Sequence, residues 1–154
     1  YNGTLFHRVV RDPSPFVVQG GDPQSKDPNL PIEQLGTGNF IDPGSGQPRY
    51  VPLELWLKDE ASPHYGQITA GPGQQARLLL QHQRGAVAMA RAESVNSASA
   101  QFYIALQALP ELDGRYAVFG RVTRGMDVVD RITQGDRIIT ARVLEGGTLV
   151  KDGR

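Results

Sequence analysis

The chain has 154 residues, enough for one domain around a single hydrophobic core. Hydrophobic residues make up 39% of it and charged residues 21%, proportions typical of a folded globular protein rather than a disordered one. Sixteen basic residues balance sixteen acidic ones, cysteine is absent, and no apolar run approaches the roughly 18 residues of a membrane span. We therefore expect no nucleic-acid partner, no membrane insertion and no thiolate chemistry, while the compartment stays undetermined.

Glycine and proline interrupt short apolar runs, a pattern that favours β-structure. Strands are predicted over 5–10, 16–19, 50–56, 86–90, 101–106, 117–122 and 137–144. A short helix is predicted over 76–83 and a clearer one over 126–133, where Met126, Val129 and Ile132 form an apolar stripe before Gly135. With no repeat or linker, we expect one mostly β domain over 1–154, built as a closed barrel or a sandwich.

The region 24–83 is dense in proline, glycine and small polar residues, and we expect a long, loop-rich excursion at the surface. Loops of this kind can contact partners or shape access to a groove. A solvated decoration is at least as good an interpretation.

Several chemistries lack the residues they need. The three histidines, His7, His64 and His82, are scattered without the spacing of metal ligands, so we expect no metal site. Neither a nucleophile elbow nor a phosphate-binding loop occurs, and we expect no cofactor. An enzyme with this composition would depend on binding, orientation and hydrogen bonding.

Two blocks of motifs are the most specific feature of the chain. The first is F-H-R-V-V at 6–10, followed by F-V-V-Q-G-G-D at 16–22. The second contains G-A-V-A-M-A-R at 85–91, N-S-A-S-A-Q-F-Y-I at 96–104 and L-D-G-R-Y-A-V-F-G-R-V at 112–122. In content and order these motifs resemble the cyclophilin-type peptidyl-prolyl cis-trans isomerases, and the bacterial members more than the animal ones. Only fragments align within 24–83.

The resemblance implies a closed, antiparallel, eight-stranded barrel with capping helices. Members of the family usually begin with two strands and a helix ahead of the segment that matches 1–6, so we expect this chain to lack those elements. A barrel without them would have open edges. The implied activity is rotation of X-Pro peptide bonds in protein substrates, which assists folding.

The resemblance also implies roles for individual residues. Arg8 matches the catalytic arginine, while Gln19 and Gln101 match polar residues that orient it and hold the substrate backbone. The strand edge that pairs with the peptide corresponds to Ala90 and Arg91. The apolar pocket for the proline ring and its rim correspond to Phe16, Val17, Tyr103, Leu112 and Tyr116.

Each of these residues also has an ordinary structural interpretation. Taken alone, Arg8 would be a solvated or ion-paired residue, the glutamines would be sheet-edge amides and the aromatic rings would belong to the core. Strand alternation sends Phe102 and Ile104 to one face and Tyr103 to the other, so one face can fill a core while the other lines a groove.

Three positions depart from the family pattern. Glu111 stands where many members have a tryptophan that contributes to cyclosporin binding, so we expect weak cyclosporin binding. Tyr116 takes the place of a rim histidine and preserves an aromatic wall. Tyr103 replaces the commoner phenylalanine and adds a hydroxyl.

Three functional hypotheses follow. The first is an active prolyl isomerase, a monomer that acts on proline-containing polypeptides. The second is a docking module that binds such peptides with little turnover, although docking alone would not require Arg8. In the third, the chain is inactive alone and serves as one part of a larger protein.

Overall fold

The computed structural model describes residues 1–71 and 73–146. Their strands, in chain order, are β1 (Arg8–Val10), β2 (Val17–Gly20), β3 (Glu54–Leu55), β4 (His64–Tyr65), β5 (Ala86–Met89), β6 (Phe102–Ala105) and β7 (Val118–Arg121). The helices are α1 (Gln74–Arg77) and α2 (Met126–Val129), and 3-10 turns cover Pro23–Lys26, Ile32–Gln34 and Pro110–Leu112. Neither described α-helix is long and apolar enough to cross a membrane.

Five strands form one antiparallel sheet in the order β1-β2-β6-β5-β7, and β3 and β4 pair separately. The expectation of a mostly β fold with few helices is therefore confirmed. Within the described residues the main sheet is open, with β1 and β7 at its edges, so the closed eight-stranded barrel is not confirmed.

The main sheet buries a different apolar cluster on each face, as the alternation of its strands dictates. On one face, Val18 and Ile104 pack with Val129 of α2, and Met126 and Ile132 complete the contact. The predicted apolar stripe of this helix therefore faces the core. The other face carries Val17, Ala86, Ala88, Tyr103, Ala105 and Leu109.

The 24–83 excursion contributes a third cluster, so it is only partly a surface loop. Leu53, Leu55 and Leu57 are buried and pack with Leu78, while the residues between them are exposed. This alternation is strand-like, as predicted for 50–56. However, only Glu54–Leu55 are in a strand, and that strand pairs with β4 rather than joining the main sheet.

Other predictions need correction at the level of single elements. The helix predicted over 76–83 ends at Arg77, because the chain turns extended at Leu78 to pair with the 56–58 segment. The helix predicted over 126–133 ends at Val129, where the guanidinium of Arg11 bonds the carbonyls of Val129 and Ile132. Tertiary hydrogen bonds decide both ends.

The strand predicted over 137–144 is wrong. Arg137 forms a single bridge with Leu5, and the backbone of Ile138 bonds that of Gly3 and Thr4. Beyond this contact the apolar side chains Ile139, Val143 and Leu144 are exposed. No strand in the described part of the chain faces this apolar run, so it has no ladder to join.

Candidate active site

A cavity of about 230 Å³ opens on the face of the main sheet that carries Tyr103. Nine of the ten residues that the motifs predicted line it, and the tenth, Gln101, is buried and hydrogen-bonded to Gln19. The lining residues are Arg8, Phe16, Val17, Gln19, Ala90, Arg91, Tyr103, Leu112 and Tyr116. The structure therefore brings together residues that are up to 108 positions apart, from Arg8 to Tyr116.

Strand register explains this grouping. Arg8 lies directly opposite Gln19 across the β1–β2 pair, and Gln19 lies opposite Tyr103 across the β2–β6 pair. Side chains opposite each other in an antiparallel pair share a face. The register thus aligns the arginine, the glutamine and the tyrosine in one row.

A relay of amide hydrogen bonds orients the arginine. Gly38 accepts from Gln101 Nε2 at 3.0 Å, and Gln101 Oε1 accepts from Gln19 Nε2 at 3.1 Å. Gln19 Oε1 in turn accepts from Arg8 Nη1 at 3.3 Å. Arg8 is exposed and forms no ion pair within the described residues. Most of its donors are therefore available to a ligand.

Asp22, which the sequence did not predict as a site residue, anchors this relay by holding the first residues of the excursion. The buried carboxylate of Asp22 accepts from the backbone N–H groups of Gln24, Gly36 and Gly38. A Cβ on Gly38 would lie 1.9 Å from Asp22 Oδ1, so only glycine fits there. Asp22 is the final residue of the Q-G-G-D motif, and that motif was the signal that could have identified it.

Two tyrosines form an aromatic part of the cavity rim. The rings of Tyr103 and Tyr116 meet edge to face with centroids 6.0 Å apart, and the Arg91 guanidinium lies 4.6 Å from the centre of the Tyr116 ring. Arg91 also donates to the carbonyls of Arg115, Ala92 and Glu93. Its side chain therefore fixes the rim.

A buried chain of hydrogen bonds fixes the Tyr103 ring from behind. His82 is 1% exposed, its Nδ1 lies 2.8 Å from Asp113 Oδ1, and its Nε2 lies 2.8 Å from the Tyr103 hydroxyl. Burial lowers the pKa of His82 and raises the pKa of Tyr103, so both are neutral near pH 7. The hydroxyl is therefore held by His82, while the Tyr103 side chain also lines the cavity.

His7 is the second buried histidine near the site. Neither ring nitrogen has a hydrogen-bond partner among the described residues. Burial lowers the pKa of His7, and the nearby charge of Asp22 only partly opposes that shift. No group of three or more metal-ligating side chains occurs within the described part of the chain.

Comparison with known proteins identifies the family of this chain. The family model described as "Cyclophilin type peptidyl-prolyl cis-trans isomerase/CLD" matches residues 1–151. The chain belongs to this family.

Individual relatives agree with this assignment. The chain is 30% identical over 145 residues to a peptidyl-prolyl cis-trans isomerase of Helicobacter pylori, covering 90% of this chain and 61% of that protein. It is 38% identical over 141 residues to a chloroplastic peptidyl-prolyl cis-trans isomerase of Arabidopsis thaliana, covering 85% of this chain and 30% of that protein. The chain therefore spans less than two thirds of the length of these relatives.

A solved cyclophilin-type isomerase of Cryptosporidium parvum superposes with a TM-score of 0.54 at 26% identity, covering 84% of this chain and 59% of that one. A second structure of the same parasite protein, obtained in the presence of the dipeptide Ala-Pro, superposes with a TM-score of 0.56 at 24% identity. This second match covers 90% of this chain and 69% of that one, and it supports the fold alone.

Proposed function

We propose that this chain catalyses cis-trans isomerisation of X-Pro peptide bonds in polypeptides and thereby assists folding. One observation carries the proposal: an exposed arginine, oriented by Gln19, lines a cavity that also has an apolar and aromatic wall. No carboxylate of the described residues lines this cavity. The family relationship supports it independently.

The reaction needs little covalent chemistry. Rotation about an X-Pro bond faces a barrier of about 18–20 kcal/mol because the amide loses its resonance. In the twisted state the proline nitrogen becomes pyramidal and basic, so a donor directed at it binds that state better than the planar one. Arg8 supplies such a donor, and a hydrogen bond from a charged group contributes about 1.5–3 kcal/mol, or roughly ten- to 150-fold in rate.

The remaining residues bind and orient. In this proposal Phe16, Val17 and Leu112, with the Tyr103 ring, surround the proline ring and exclude water. Gln19 orients the Arg8 side chain through a hydrogen bond, and Gln101 orients Gln19 in the same way. The backbone at Ala90 and Arg91 pairs with the extended peptide as a strand edge does, and Tyr116 closes the rim.

Finer features of the family extend the proposal. We infer that further strands complete an eight-stranded barrel at the β1 and β7 edges; in support, Phe119 on β7 is 56% exposed. The protein acts as a monomer, and cyclosporin binds weakly because Glu111 replaces a tryptophan. An inhibition titration that gave tight cyclosporin binding would contradict this last inference.

The test is proline exchange measured by NMR on an Ala-Pro peptide, after amide dispersion has shown that the chain is folded. We expect acceleration by the native chain, and a loss of about ten- to 150-fold in Arg8→Ala. Arg8→Lys is the matched control, since it keeps the charge but removes the planar fork, and it should recover only part of the rate.

A folded chain that binds the peptide without accelerating exchange would refute the isomerase proposal. The docking module, the second candidate, would then explain the binding.

A further inference from the structure

A second and larger cleft, about 480 Å³, lies beside the active site, and we call it the lateral cleft. The 24–83 excursion builds one wall, and the start of the chain with the 99–100 segment builds the other. Its lining includes Tyr1, Lys26, Phe40, Arg49, Val51 and Ser99, together with Ala100.

The excursion wall is a fixed structure. Arg49 N–H donates to the carbonyl of Phe40 at 2.9 Å, which closes a hairpin. Ser99 joins this hairpin to the main body, because its hydroxyl donates to the Arg49 carbonyl at 2.7 Å and accepts from Phe40 N–H at 2.9 Å. Val51 N–H donates to the Ala98 carbonyl at 2.7 Å. The cleft is therefore preformed, which limits the entropy cost of binding.

The opposite wall is fixed as well. The Tyr1 hydroxyl donates to the Ala100 carbonyl at 2.8 Å, and the Tyr1 ring packs edge to face on Phe102 with centroids 5.4 Å apart. Despite these contacts, Tyr1 remains 54% exposed, and Phe40 and Val51 are 44% and 42% exposed. Three large, partly exposed hydrophobic side chains thus line one open space.

The charged side chains that line this space have one sign. Lys26 and Arg49 line the cleft, no acidic side chain does, and neither cation forms an ion pair within the described residues. Asp42 lies near Arg49 outside the lining, and hydrogen bonds from Ser45 and Gly44 together with the Arg49 charge lower the pKa of its carboxyl group. Asp42 therefore offsets part of the Arg49 charge, and Lys26 has no such neighbour among the ion pairs of the described residues. The surface therefore complements an anionic ligand that also carries an apolar side chain.

The lateral cleft is continuous with the active site. A small cavity of about 100 Å³ shares Gln19, Ala90 and Arg91 with the proline pocket. The same cavity shares Ser99 and Ala100 with the lateral cleft. An extended polypeptide with its proline in the pocket can therefore pass along this cavity into the cleft.

We propose that the lateral cleft binds an acidic segment bearing an aromatic or aliphatic side chain, located a few residues from the X-Pro bond in the same client polypeptide. The inference rests on the proposed function and gives the excursion a role in substrate selection.

The test compares peptides of equal length around one Ala-Pro core. One carries a Glu-Phe-Glu segment, a second carries Gln-Phe-Gln, and each segment is placed on either side of the core. Two exposed ion pairs predict about two- to thirtyfold tighter binding of the acidic peptide at low salt, an advantage that shrinks as salt rises. Amide shifts of Phe40 and Val51 should move with the acidic peptide.

Variants separate the cleft from the catalytic site. The double variant Lys26→Glu with Arg49→Glu should abolish the preference for the acidic peptide, and Phe40→Ala should weaken both peptides. Exchange of a minimal Ala-Pro peptide should stay unchanged in these variants. Arg124→Glu, a charge reversal outside the cleft lining, is the matched control and should retain the preference.

Equal affinity for the two peptides, or a preference that persists in the double variant, would overturn the proposal. If the acidic peptide binds at the cleft but the native chain accelerates no exchange, the cleft proposal stands and the isomerase proposal fails. The two ideas can therefore fail separately.

Discussion

Replacing Tyr103 with phenylalanine tests the buried chain of hydrogen bonds behind the candidate pocket. The Asp113 carboxylate only accepts hydrogen bonds, and its Oδ1 receives both the backbone N–H of His82 at 2.7 Å and the Nδ1 of His82 at 2.8 Å. The histidine proton therefore resides on Nδ1. Nε2 must then accept from the Tyr103 hydroxyl, which lies 2.8 Å away.

Tyr103→Phe removes that donor and leaves Nε2 of His82 buried without a partner. A buried polar group left unpaired costs about 1–3 kcal/mol. The phenylalanine ring keeps the packing of Tyr103 in the apolar cluster with Val17 and Ala88, so no cavity adds to this cost. In a chain of this size each 1 kcal/mol shifts the melting temperature by about 2–4 °C, so we expect a loss of roughly 2–12 °C.

Urea unfolding followed by fluorescence measures the change, provided that the m-value stays constant. Tyr116→Phe is the matched control, because Tyr116 is half-buried and its hydroxyl has no protein partner in the described part of the chain. It should change the free energy of unfolding by less than about 0.5 kcal/mol. If the two variants are equally stable, the His82–Tyr103 hydrogen bond is not formed.

Two further predictions concern pH and backbone geometry. Burial lowers the pKa of both His7 and His82, so below pH about 6.5 the unfolded chain takes up protons first and the free energy of unfolding falls by up to about 1.4 kcal/mol per pH unit for each histidine. This loss of stability continues until the pH reaches the pKa of each histidine in the folded chain. His7→Phe should roughly halve the slope of unfolding free energy against pH, measured by urea unfolding. An unchanged slope would show that His7 does not contribute. Gly114→Ala would place a Cβ 1.8 Å from the Thr69 carbonyl oxygen at a φ of +74°, whereas Gly125→Ala meets no atom within 4 Å at a φ of +85°. Thermal unfolding should therefore show a loss above about 2 kcal/mol in the first variant and about 1 kcal/mol in the second, and equal losses would rule out the close contact.

The local sequence pattern determined which face of its strand or helix many residues occupy. Alternation along the 101–106 segment separates Tyr103 from Phe102 and Ile104, and the structure has them on opposite faces of β6. The apolar stripe of Met126, Val129 and Ile132 follows the helical period instead, and it too faces the core. The ordered motifs were sufficient to predict the family, and they include every residue that lines the candidate pocket.

Only tertiary contacts decided the rest. Leu78 leaves the predicted helix because its neighbours bond the 56–58 backbone. The apolar run after Arg137 stays exposed because none of the described strands faces it. His82 forms hydrogen bonds with Asp113, 31 positions away, and with Tyr103, 21 positions away. No local period in the sequence encodes such contacts. Sequence period reports which face a residue occupies, whereas the identity of its partner depends on how distant segments pack.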